Sequence, residues 1–156
     1  MIHGKRLVVV LIGAAAACSW GALTATGGAD GATGPAQIRI TDVQLAYRTA
    51  PPLGGGHAGT VEMIRQRLYN PAISELPIGR SLVVCTLSDG RDRMCTGTYI
   101  LPKGSLVVSG ALQSRLLYEI PVVGGTGLFD NARGTLTVTA THLKPRHEVL
   151  VFRLVG

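Results

Sequence analysis

Charge and aromatic rings are the scarce materials of this chain. Only 15% of its 156 residues are charged and 4% are aromatic, and no run of clustered Lys or Arg occurs. Nucleic-acid surfaces combine a basic stripe with interleaved aromatic residues, so the formal charge of +6 is not read as one. Lys5 and Arg6 at the extreme N-terminus supply two of those charges. Catalytic signatures are missing too. There is no GxSxG, no HExxH, no calcium-loop pattern, no CxxC and no GK[ST]. Nothing marks the paired carboxylates of a glycosidase. His57, His142 and His147 are scattered over turns and strand ends, a spacing that suits no metal site. No repeat or heptad is visible, which excludes solenoids and coiled coils.

What is present is glycine, at 21 residues, and many short β-branched runs. That balance points to an all-β protein with tight turns, and the length suits one domain. Eight extended segments are predicted: 37–48, 60–69, 81–87, 95–101, 105–112, 116–123, 132–142 and 148–155. The joints carry turn chemistry, such as Asn70-Pro71, Asp89-Gly90, Pro102-Lys103-Gly104 and Lys144-Pro145-Arg146. Residues 60–76 also fit a helix. Connections this short favour antiparallel neighbours, and eight such strands can close into a barrel without edges. A sandwich fits the same pattern. Runs such as Leu82-Val83-Val84 are apolar on both faces, which predicts self-association.

The N-terminus reads as an export signal. Lys5 and Arg6 precede the apolar run Leu7–Ala17, and small residues follow. Residues 1–25 are assigned to the signal and 26–36 to a Gly/Ala/Thr-rich linker, leaving 37–156 as the folded domain. Ala15-Ala16-Ala17-Cys18 faintly resembles a lipobox, so Cys18 is a candidate lipidation site and the one route to membrane attachment. The expected location is extracellular or at the cell surface. Cys85 and Cys95 flank the polar turn Ser88–Asp92, and a hairpin there brings them together. In an oxidising compartment a disulfide is expected. The metal-pair reading lacks a nearby histidine and the redox-pair reading lacks CxxC.

The stretch Glu119–Val138, EIPVVGGTGLFDNARGTLTV, carries a family resemblance. Its Pro121–Gly127 run, Phe129 and Ala132-Arg133-Gly134 resemble the signature of dirigent proteins, which share a calycin-like barrel with allene oxide cyclases. The phrase GTYILPKGSL at 97–106 extends the likeness toward the bacterial branch. The glycines of GGTG are expected to form a tight turn between two barrel strands. A phosphate loop would need a helix next, and a strand follows instead.

The resemblance implies an eight-stranded antiparallel β-barrel that encloses a hydrophobic small molecule and works without a cofactor or metal. It implies directed cyclisation or stereoselective coupling, as in a cofactor-free isomerase, and a dimer or trimer. The other reading is a non-catalytic secreted barrel carrying a lipid or phenolic ligand. Arg133 and Asp42 are the candidate catalytic residues: a guanidinium to hold a carboxylate or phenol oxygen, and a carboxylate to act as base or as the arginine's partner. Tyr47, Tyr99 and Phe129 are candidate ligand contacts, with Tyr69 a further hydroxyl. Glu119 matches the family's acid before the proline. Lignan-forming dirigent proteins often carry aspartate directly after GGTG; Leu128 stands there and the acid comes two later, as Asp130.

Overall fold

The computed structural model describes residues 36–54, 57–71, 76–88, 92–113, 116–141 and 144–155. The signal assigned to 1–25, the linker up to residue 35, Cys18 and His142 lie outside them. Eight strands form one closed antiparallel barrel in sequence order: β1 (Ala36–Ala50), β2 (Val61–Tyr69), β3 (Gly79–Leu87), β4 (Arg93–Leu101), β5 (Gly104–Leu112), β6 (Leu117–Gly127), β7 (Arg133–Ala140) and β8 (His147–Val155). β1 pairs with both β2 and β8, which closes the wall. Of the segment that also fitted a helix, Val61–Tyr69 is strand β2. Ala36, assigned to the linker, opens β1.

Strand alternation decides what fills the barrel, because every second side chain points inward. In β8 the inward series is Glu148, Leu150, Phe152 and Leu154; in β1 it is Ile38, Ile40 and Asp42. In β2 it is Glu62, Ile64, Gln66 and Leu68, and in β4 Arg93, Cys95, Gly97, Tyr99 and Leu101. The β4 and β8 series run from polar to apolar and the antiparallel β1 series from apolar to polar, so the polar members gather at one end of the barrel; in β2 Glu62 and Gln66 alternate with Ile64 and Leu68. The lower end, where odd-numbered strands begin, is packed with Leu68, Leu106, Leu136, Leu150 and Phe152, all fully buried. The upper end collects the polar side chains.

Two bulges adjust this pattern. In β1 the register shifts between Gln44 and Ala46. The extra residue pushes Leu45 outward and turns Tyr47 to the same side as Asp42 and Gln44, where strict alternation would have placed it on the other. On β6 the shift falls at Val123, between the pairs Val107–Gly124 and Val108–Val122.

GGTG is not the turn expected from sequence. β6 continues through Gly127, pairing Gly125 with Leu106 and Gly127 with Gly104, and the turn is made by residues 128–131 with Asn131 left-handed at φ 59°. Gly125 is needed for room: a Cβ there would collide with the carbonyl oxygen and Cβ of Phe129, which folds back over it onto the core. Gly134 of the Ala-Arg-Gly element has φ 140°, and a Cβ would run into the Arg153 carbonyl of β8.

Cys85 and Cys95 face each other in the β3–β4 register and are joined by a disulfide inside the barrel.

Candidate functional site

The upper end of the barrel holds a cavity of about 50 Å³ among Tyr47, Glu62, Gln66, Arg93, Tyr118 and Glu148, with Ile64, Val83 and Leu112 as apolar wall. At roughly 30 Å³ of liquid volume per water, it takes one or two waters, or the head group of a larger molecule. Polar side chains stand at this opening beside the apolar wall, and fully buried leucines and Phe152 occupy the lower barrel.

Its walls carry two hydrogen-bonded groups. Ser81 Oγ donates to Gln66 Oε1 at 2.6 Å, and Gln66 Nε2 donates to Glu148 Oε2 at 3.0 Å. Arg146 Nε donates to Glu148 Oε1 at 3.0 Å. On the other side Tyr47 donates its hydroxyl to Glu62 Oε1 at 2.6 Å, and Arg93 Nη1 stands 3.6 Å from Glu62 Oε2. Both members of that ion pair are buried. Buried pairs of this kind hold geometry more than they add stability, and they fix Tyr47 and Arg93 at the rim.

Asp42 stands behind Glu148, directly opposite it in the β1–β8 register and fully buried. The backbone N–H of Glu148 donates to Asp42 Oδ1 at 3.1 Å, while Oδ2 has no donor aimed at it. Burial first, then the neighbouring Glu148 charge, push the Asp42 carboxyl from 3.8 up to about 9; the backbone bond and Arg146 only partly oppose this. Burial and the Glu148 charge thus favour the protonated form of Asp42. Tyr118 and Tyr99 are also held protonated, chiefly by burial and then by nearby groups including Asp42 and Glu148.

The sequence candidates divide by position. Asp42 and Tyr47 belong to this upper cluster. Tyr99 does not line the cavity; its ring packs edge-on to Phe152 in the core, with centroids 5.2 Å apart. Phe129 sits in the lower turn, against the opposite end of the core. The placement of Arg133 inside the barrel is corrected: it is exposed, and its Nη1 donates to the Ala132 carbonyl at 2.9 Å. It falls in the outward phase of β7, alternating with buried Leu136 and Val138. It pairs with Val155, whereas Asp42 pairs with Glu148, roughly 23 Å away along β8 at about 3.3 Å per residue. Glu119 is exposed on the outer wall, accepting from Thr137.

Glu62, Gln66, Arg93, Tyr118, Arg146 and Glu148 were not anticipated. For Glu148 and Glu62 the signal was legible: each acid shares its strand phase with inward leucines, Leu150 in one case and Leu68 in the other. Among the described residues no group of three or more His, Cys, Asp or Glu is placed to hold a metal ion.

The sequence matches no protein-family model, and no curated protein matches it. Solved structures do match. A pterocarpan synthase dirigent protein superposes with a TM-score of 0.63 at 16% identity, covering 78% of this chain and 88% of that one. The fold is shared with dirigent proteins. The same dirigent-type barrel occurs in a pyocyanin demethylase (TM-score 0.61, 17% identity, 74% of this chain and 98% of that one). It occurs again in an exo-specific intermolecular Diels-Alderase (TM-score 0.60, 11% identity, 79% and 99%). At these identities the dirigent likeness is one of fold.

Proposed function

We propose that this barrel is an exported, cofactor-free cyclase or coupling protein. It takes the polar head of an otherwise hydrophobic small molecule into its upper cavity and moves a proton there through the Glu148–Asp42 pair. The carrying observation is that pair: two buried carboxyls in cross-strand register, Glu148 facing the cavity and Asp42 behind it, its carboxyl pushed up by burial and by the Glu148 charge. Such a pair is suited to donate a proton to a substrate oxygen and to take one back, with Asp42 resupplying Glu148. Tyr118 and Arg93 offer hydrogen bonds to charge developing on that oxygen. The rim around Tyr47 and Leu112 would restrict the apolar body and reduce the entropy cost of ring closure.

Dirigent proteins and a Diels-Alderase among the fold neighbours support a chemistry of folding and closing small molecules. Export rests on the N-terminal signal pattern, and the Cys85–Cys95 disulfide agrees with an oxidising compartment.

The test is native mass spectrometry of the full chain after incubation with extract of its own culture, with the bound molecule released at intervals and separated by chromatography, because ring closure leaves the mass unchanged. A bound molecule whose retention changes with time is expected. Glu148→Gln and Asp42→Asn should keep the bound mass and slow its conversion by about 10²–10⁴-fold, the usual worth of a positioned acid–base group. A bound molecule whose mass and chromatographic retention both never change would establish the carrier reading. A bare protein at every extract concentration would sink both.

A further inference from the structure

The outer wall carries a second concavity with chemistry unlike the interior. A groove of about 930 Å³ runs over β2, β3 and β4. Arg65, Arg67 and Arg80 stand in it, each exposed in the outward phase of its strand. Register sets Arg67 directly opposite Arg80, and Arg65 opposite Leu82 two pairs further on, on the same face. Like charges directly opposite on one sheet face destabilise the pair. Among the described residues none of the three arginines makes an ion pair; those present involve Arg93, Arg146 and Arg153. Beside them the groove is apolar. Leu45, Leu82 and Ile100 are 51%, 47% and 42% exposed, and Ile78 completes the floor.

We propose that this groove binds a free single-chain anionic amphiphile. Its carboxylate or phosphate head would lie on Arg65, Arg67 and Arg80, and its chain along Leu82, Ile100 and Ile78. Charge complementarity selects the head, because the three guanidinium groups within one groove have no anionic partner among the described residues. The adjoining apolar floor selects a chain over a bare ion. The concavity is of the size that holds a discrete ligand, roughly 300–1,000 Å³, where a bilayer surface would be met by a protruding face. A second copy docked here through the same surface would set these arginines against their own duplicates. The proposal does not depend on the interior site.

The experiment titrates the full chain with dodecanoate, dodecyl phosphate and dodecanol, each below its micellar concentration, and with phosphatidylglycerol vesicles. Calorimetry gives affinity and amide chemical shifts give location. Both anions should saturate a single site, shifting the amides of residues 65–67 and 80–82, with dodecanol at least about tenfold weaker. Arg67→Gln/Arg80→Gln should weaken dodecanoate at least about tenfold and, by removing the repulsion, raise the thermal midpoint by about 1–3 °C. Equal binding of dodecanol, unchanged affinity in the double variant, shifts confined to Tyr118 and Glu148, or binding to vesicles alone would each overturn it. The comparison of dodecanoate with dodecanol needs no variant, so the test stands even if the double variant folds poorly.

Discussion

Asp42 is the residue on which the interior chemistry turns, and its ionisation links to stability. Its folded pKa of about 9 lies above the unfolded value near 3.8. Between those values the unfolded state has released a proton that the folded state keeps. The stabilisation is fully present below about pH 4 and is lost as pH rises toward 9. Denaturant unfolding from pH 4 to 9 should show this decline, and Asp42→Asn, which cannot ionise, should flatten it. An unchanged slope in the variant would mean that Asp42 is ionised at neutral pH. Asp42 was visible in the sequence as an acid in phase with Ile38 and Ile40. Its partner Glu148 is 106 residues away, and only closure of β1 onto β8 brings them together. Arg133 was misplaced because the family resemblance outweighed the strand phase, in which Arg133 shares its face with Thr135 and Thr137 while Leu136 and Val138 hold the other.

At the level of elements, the strand limits follow from β-branched runs and turn residues, whereas the bulges and the lower turn do not. A bulge depends on how two neighbouring strands are held, so the reversal of Tyr47 cannot be read from β1 alone. The GGTG run shows a second way in which glycine is used. Gly125 serves close approach of Phe129, and the bend comes after it. Gly125→Ala is therefore expected to displace the 128–131 turn and cost about 1–3 kcal/mol, as overpacking does. Urea unfolding checks this, and a variant as stable as the parent would show that the turn moves freely. The upper cavity, at the other end of the barrel, should keep its ligand affinity.

For the molecule as a whole, closure removes every sheet edge, and the disulfide ties two adjacent strands across a short loop. With a sequence separation of 10 residues, loop-closure entropy gives about 2–3 kcal/mol to the oxidised form. Cys85→Ala/Cys95→Ala should lower unfolding stability by that order, measured by guanidinium denaturation under oxidising conditions. Equal stability would mean that the β3–β4 pairing constrains the unfolded chain without help from the bond. Cys85 also lines the cavity, so the same variant should alter ligand affinity through the wall it forms.

The order of short apolar and alternating segments, with turn residues between them, was enough to determine eight antiparallel strands and the cysteine hairpin. These are local matters, set by side-chain period and backbone freedom within a few residues. The site was decided by tertiary structure. Asp42 with Glu148, Tyr47 with Glu62, and Gln66 with Glu148 join side chains from different strands. The Asp42 carboxyl is pushed up because barrel closure removes it from water beside Glu148. Burial and long-range register are properties of the closed wall, and no single strand contains them.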